Sequence, residues 1–393
     1  MNPEEDIKPE QQLLIRLSRI KFDGQQKAEA EALCKKGISW DYFCHSANMH
    51  GLSALAFNNL EKTGLLKYVP EHNSEYLRKA SYLSMVRNTG IMKNLSEALS
   101  ILGKENFRIV LLKGMALELM DYGNTGLRQM TDADVLLRKD EGIKAFRLLK
   151  KNGFSPLPVK SFFHKLIIKH IGKHFPSLLK DDFSLEIHHD LFGSRNKHLT
   201  SLLLETSIRS DLDGNDIWLP EPLILFLYLV HHLYRHETNN DSQLRLYTDL
   251  VVMIEEYSTR VINPQLLRLS DEAGMNRILA DRLLALREYW KIEFPGWMNE
   301  FIDKNKSEEA ASRFIFFLNS PKNNIIPDRS HSYRPLLNEI PGFHRKIIYV
   351  AGDLFPTLSF MKKRYNCTSA WKAILHYPHR FGKLLWLFRD YRK

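Results

Sequence analysis

Two aspartates, Asp132 and Asp134 in the stretch LRQMTDADVLLRKDE, open an otherwise apolar run. On a strand, residues i and i+2 project from one face, so the two carboxylates stand roughly 6–7 Å apart and repel. A divalent cation resolves that conflict, because Mg²⁺ (or Mn²⁺) is held by one or two carboxylates together with substrate phosphates. A third carboxylate on a neighbouring strand completes a two-metal site, in which one ion activates an attacking hydroxyl and the other stabilises the leaving phosphate. Glu186 is the candidate, as the polar-face residue of the next well-formed strand, FSLEIHHDLF. His188, two residues on and on the same face, is a candidate substrate contact.

Upstream, FRIVLLKG runs as an apolar strand into Lys113 and Gly114. A helix starting at Met115 then places a lysine and free backbone N–H groups where phosphates commonly bind. Arg128, four residues before Asp132 in a glycine-containing loop, offers a second phosphate contact. Taken singly, the same residues allow a plainer reading: Asp132 starts the strand, Asp134 is a solvent-facing edge residue, Gly114 a turn and Arg128 a solvated loop residue.

These side chains need a sheet to hold them. From about Glu10 to Leu102 apolar residues recur at helical spacing, as in Ile91, Leu95, Leu99 and Leu102. Gly103 caps that region, and a β-branched strand follows over Phe107–Leu112. A short helix closes near Gly123, a glycine-rich loop leads to the strand Asp132–Leu137, and an amphipathic helix covers Lys139–Asn152. From Pro220 onward helical periodicity returns. The stretch Ser320 to Pro335, rich in Pro and Asn, reads as a linker to a basic, aromatic tail. The order predicts an α+β protein whose small mixed β-sheet is flanked by helices. Its expected parts are a helical region over 1–103, a core over 104–215, a helical region over 216–319 and a linker and tail over 320–393.

The formal charge of +10 and pI near 9.3 favour an anionic partner. Beyond Pro341 eleven Lys and Arg face only Asp353 and Asp390. The final RFGKLLWLFRDYRK can be drawn as a short helix with Leu384, Leu385, Leu387 and Phe388 near one side, docked on the protein, lying on an anionic membrane or contacting RNA. Cys34, Cys44 and Cys367 show no CxxC spacing, so a reduced, cytoplasmic setting is expected. The acidic N-terminus does not read as a signal peptide. PLILFLYLV stops at His231, well short of the roughly 20 residues a membrane span needs, so no transmembrane segment is expected. His232 and His236 are four apart, but neither HExxH nor a nearby cysteine accompanies them. They read as the polar face of a helix packed over the core, with Arg245 and Asp249 pairing to it. G-x-S-x-G and the P-loop pattern are absent.

The run IVLLKGMALELMDYGNTGLRQMTDADVLLRKDEGIKAFRLLKKNGF, followed by FSLEIHHDL, resembles the uncharacterised nucleotidyltransferase family marked by LKG, R-x-M-x-D-x-D-h-L and a later h-E-h-H strand. That family sits within the polymerase-β-like nucleotidyltransferase superfamily. The resemblance extends over roughly Trp40 to Glu256. It implies Mg²⁺ ligation by Asp132 and Asp134 with Glu186 as third carboxylate, and Lys113-Gly114 standing where the superfamily has Gly-Ser or Gly-Gly. The implied reaction carries an NMP group from a nucleoside triphosphate to a hydroxyl acceptor that is a small molecule, glycan, peptide or RNA. Two rivals stay open: a glycosyltransferase whose DxD holds a metal against a nucleotide sugar, and a non-catalytic adaptor that keeps the fold and binds nucleic acid, membrane or protein.

Overall fold

The computed structural model describes residues 7–157, 160–167, 172–193, 195–321, 337, 340 and 342–389. Its strands are β1 (Val110–Leu112), β2 (Ala133–Leu136), β3 (Ser155–Pro156), β4 (Leu178–Lys180), β5 (Phe183–His188), β6 (Ile208–Leu212) and β7 (Asn215–Leu219). They form one mixed sheet in the order β3-β4-β5-β2-β1-β7-β6. Neighbours β2 and β5 run parallel, as do β1 and β7, and the remaining pairs are antiparallel. With helices around it, this is the expected α+β architecture.

Every residue of β1 and β2 is buried. Strands covered on both faces do not alternate, which accounts for the unbroken apolar runs. β5 does alternate: Phe183, Leu185 and Ile187 are buried, while Ser184 and Glu186 are half-buried. β1 is shorter than the expected Phe107–Leu112, and β2 begins at Ala133, so Asp132 stands at its entrance rather than within it. The sheet also runs beyond residue 215, because β7 continues to Leu219 beside β1. The sequence reading placed no strand over 208–219. Its signature is nonetheless present in Asp213-Gly214, both at positive φ (51° and 79°), the backbone pair that a two-residue hairpin turn demands.

The Glu71–Leu102 helix packs against β5, β7 and the Lys139–Lys151 helix, burying Ile91, Leu95, Leu99 and Leu102. The first and later helical regions pack together: Arg16 and Arg19 donate to the carbonyls of Tyr289 (2.6 Å) and Trp290 (2.8 Å), and Trp290 Nε1 donates to Ser18 Oγ (2.8 Å). The long helical pattern after Asn263 breaks into Pro264–Glu272 and Asn276–Tyr289 at Gly274, whose φ of +65° no helix interior accepts. Helices Phe343–Leu354, Leu358–Arg364, Ala370–Ile374 and His376–Arg389 take up most of the expected tail. The expected linker lies outside the described residues from Lys322 on, as do the positions of Leu384, Leu385, Leu387 and Phe388 side chains and residues 390–393. No helix among the described residues is long and apolar enough to cross a membrane.

Candidate active site

The site grows from three adjacent strands. Parallel register sets Asp134 of β2 directly beside Glu186 of β5, and antiparallel register sets it beside Leu112, the last residue of β1. Lys113 follows at once. Its φ of +47° is left-handed backbone, which costs a non-glycine residue of order 1–2 kcal/mol, and its Nζ donates to Asp134 Oδ1 at 2.6 Å. His188, two residues beyond Glu186 on the same face, brings Nε2 to 2.7 Å from the same oxygen and 3.5 Å from Glu186 Oε2. Ser177 Oγ donates to Glu186 Oε1 at 2.9 Å.

Burial alone would raise the Asp134 pKa, but Lys113 and His188 outweigh it and hold the carboxyl far below the ordinary value. Burial likewise works against Glu186, yet the bond to His188 brings it down to about 2. Lys113 is desolvated too, and the Asp134 carboxylate still keeps its ammonium above the ordinary lysine value. Asp132 behaves in the opposite way. Half-buried, bonded by the neighbouring Thr131 hydroxyl (3.1 Å) and facing the charges of Asp134 and Glu186, it has its pKa raised, by burial first and by those two carboxylates second.

Asp134, Glu186 and His188 present ligand atoms within 4.8 Å of one another, the one such group of metal-capable side chains among the described residues. Two carboxylates and an imidazole suit a divalent ion of the Mn²⁺ or Zn²⁺ kind; Asp132, expected as a ligand, stands outside this group, and what joins it to the group here is charge. The donor set therefore fits a divalent cation. Beside it opens a cleft of about 180 Å³, lined by Lys113, Lys173, Glu186 and His188 on the sheet side and by Tyr228, His231, His232, Arg235 and His236 from the Pro222–Thr238 helix. The polar helix face thus walls the cleft. Burial pushes the imidazoles of His231 and His232 well below the ordinary value, leaving both neutral at pH 7.

Two sequence candidates sit elsewhere. Arg128 turns from the cleft to Asp249: Nε and Nη2 donate to the two carboxylate oxygens at 2.8 Å each, both side chains being buried. Asp249, expected to pair with the histidine helix, is held by Arg128 and by the Tyr122 hydroxyl (3.1 Å). Arg245 instead donates to the Gln129 carbonyl (2.9 Å). Gly114 lies under that fork, where a Cβ would stand 2.5 Å from Arg128 Nη1 and 2.8 Å from Met130 Sδ. Glycine there permits close packing. Together these ties fix the loop that delivers Asp132. The sequence reading missed Lys173, Tyr228 and Arg235 as cleft residues; Arg235 was visible as the one arginine inside HHLYRHE, but nothing local ties it to Glu186.

A family model described as an uncharacterised nucleotidyltransferase matches residues 36–291. That span holds every residue named in the cleft and ends before the helices at 343–389. No curated protein matches the chain.

Proposed function

The chain belongs to the uncharacterised nucleotidyltransferase family, and on that premise we propose that it transfers an NMP group from a nucleoside triphosphate to a hydroxyl acceptor with the help of a divalent metal. The observation that carries this reading is the register that faces Asp134 with Glu186 on parallel neighbours while Lys113 ends the next strand against the same carboxylate. Asp132, Asp134 and Glu186 would hold the cation, with His188 beside them. When bound, such an ion supplies charge neutralisation on the phosphates and lowers the proton affinity of an attacking hydroxyl.

The chain's own groups do the remainder. Lys113 and Arg235 meet the triphosphate. Arg235 lines the cleft, its guanidinium has no hydrogen-bond or ion-pair partner among the described residues, and it takes the role that the sequence suggested for Arg128. Neutral His231 and His232 add donors without adding charge. The acceptor oxygen bonds to the α-phosphorus as the bond to the β-phosphate breaks and pyrophosphate leaves. Glu186 holds the ion or takes the hydroxyl proton. The catalytic unit is the 104–215 core, completed by β7 and walled by the helices of 216–319.

Calorimetry with the four ribonucleoside triphosphates, with and without Mg²⁺ or Mn²⁺, tests this on the native chain and on Asp132→Asn/Asp134→Asn. Metal-dependent binding lost in the double variant supports the reading. Binding of a nucleotide sugar in place of any triphosphate, or of no nucleotide at all, overturns it.

A further inference from the structure

Residues 342–389 lie beyond the family match, and the reaction above uses none of them. They are seated on the short Phe162–Ile167 helix. Asp353, 2% exposed, accepts from Lys160 and stands 3.7 Å from His164 Nε2. Gly352 presses on the same helix so closely that a Cβ would meet His164 Nδ1 at 2.5 Å and Ser161 Oγ at 2.7 Å. Thr357 N donates to the Lys160 carbonyl at 2.9 Å.

The solvent side of this joint is apolar. Phe162, Phe163, Phe355 and Phe381 form an unbroken series of ring contacts, with centroids 6.2, 6.4 and 5.9 Å apart, and Phe162 is 64% exposed. On the neighbouring Ala370–Ile374 helix, Trp371 is 78% exposed, and Leu375 just past it is 75% exposed. Exposed apolar side chains on helices that contact one another in series mark an interface. Charge says which kind. Between Gly342 and Arg389 nine Lys and Arg face a single acid, Asp353, and that acid is buried in the joint.

We propose that this joint is a docking surface for an anionic lipid bilayer, lying in the headgroup region with Trp371, Leu375 and Phe162 inserted and the surrounding cations on phosphate. Aromatic rings sit at the membrane interface and basic residues near it gain attraction to anionic lipid. The aliphatic members separate this occupant from nucleic acid, since the exposed Leu375, Ile374 and Leu166 stack on no base. The excess of like charge opposes a second copy of the chain. This inference stands independently of the nucleotidyl reading.

The test is co-sedimentation of the full chain with phosphatidylcholine vesicles, with and without phosphatidylglycerol. The native chain is expected to sediment with the anionic vesicles alone, and Trp371→Ser/Leu375→Ser to bind at least about tenfold more weakly. Lys372→Glu should weaken binding while leaving any triphosphate affinity unchanged. These positions are exposed, so folding survives their replacement, which unchanged circular dichroism would verify. Absence of vesicle binding, equal binding by the variants, or retention of RNA or self-association that depends on Trp371 and Leu375 without vesicle binding would overturn the proposal.

Discussion

Lys113 Nζ lies 2.6 Å from Asp134 Oδ1, so the lysine already supplies the positive charge that this buried carboxylate requires. A divalent ion bound by Asp134 competes with that ammonium. Lys113→Met is therefore expected to tighten Mn²⁺ binding at least about fivefold, a fraction of the Coulomb energy of such a contact at intermediate dielectric. The same change should weaken triphosphate binding. Electron paramagnetic resonance titration of Mn²⁺ and calorimetry of the triphosphate read the two effects separately, and a fall in Mn²⁺ affinity would refute the competition.

The two aspartates should part company in stability. Asp132 stands at the strand entrance, and among the described residues its side chain is bonded by its neighbour Thr131 alone, so Asp132→Asn is expected to change unfolding free energy by less than about 0.5 kcal/mol. Asp134→Asn strands the Lys113 ammonium in the interior and should cost about 3 kcal/mol. Both should abolish metal-dependent nucleotide binding. Urea unfolding followed by circular dichroism gives the stability arm, and equal losses would contradict the buried pair.

Arg128 and Asp249 form the fork that holds the Asp132 loop. Arg128→Met or Asp249→Leu alone leaves a buried charge unpaired and should cost about 3–5 kcal/mol. The double variant is expected to recover much of that loss, giving a coupling energy that a double-mutant cycle measures. Near-additive losses would place Arg128 outside a structural pair and return it to the triphosphate.

His50 ties the first helical region to the later one. Its Nδ1 accepts from Leu244 N at 3.1 Å and its Nε2 lies 3.1 Å from the Leu318 carbonyl, so Nε2 carries the proton and the ring is neutral. Burial pushes its pKa down from 6.5 to about 4, against the pull of that carbonyl. The unfolded chain thus binds the proton more readily, and the contribution of this ring is complete above pH 6.5 and drains away as pH falls toward 4, up to about 3 kcal/mol. His50→Gln should be less stable at pH 8 yet flatter between pH 6.5 and 5. A parallel slope in unfolding midpoint would count against the assignment.

What was legible in the sequence was what short-range periodicity encodes. Alternation in FSLEIHHD placed Glu186 and His188 on one face, and the apolar run after Asp132 marked a central strand. Long-range relations carried no such trace. Arg128 meets Asp249 across 121 residues, and an arginine before an acidic motif looks the same whether it faces a phosphate or a buried carboxylate. The histidine helix showed its polar face, while the cleft beneath that face depended on a packing angle that no local pattern records. The β6–β7 hairpin announced itself in Asp213-Gly214 and was passed over between two helical stretches. In the C-terminal segment the final helix was legible and falls within His376–Arg389, whereas the three helices before it, over 343–374, were not read, because amphipathic signals are weak where few side chains become buried.

The order of strands has a consequence for how the molecule comes into being. Asp134 finds His188 only across 54 residues, and its parallel partner strand reaches it after the Lys139–Lys151 helix and β3 and β4 have been laid down. Contacts so distant along the chain form late and slowly. A polypeptide leaving the ribosome therefore has no assembled carboxylate group until β5 has emerged, and its Asp132 loop stays unclamped until residue 249 follows. Premature termination anywhere before that point yields a chain with the aspartate motif intact and its loop unclamped.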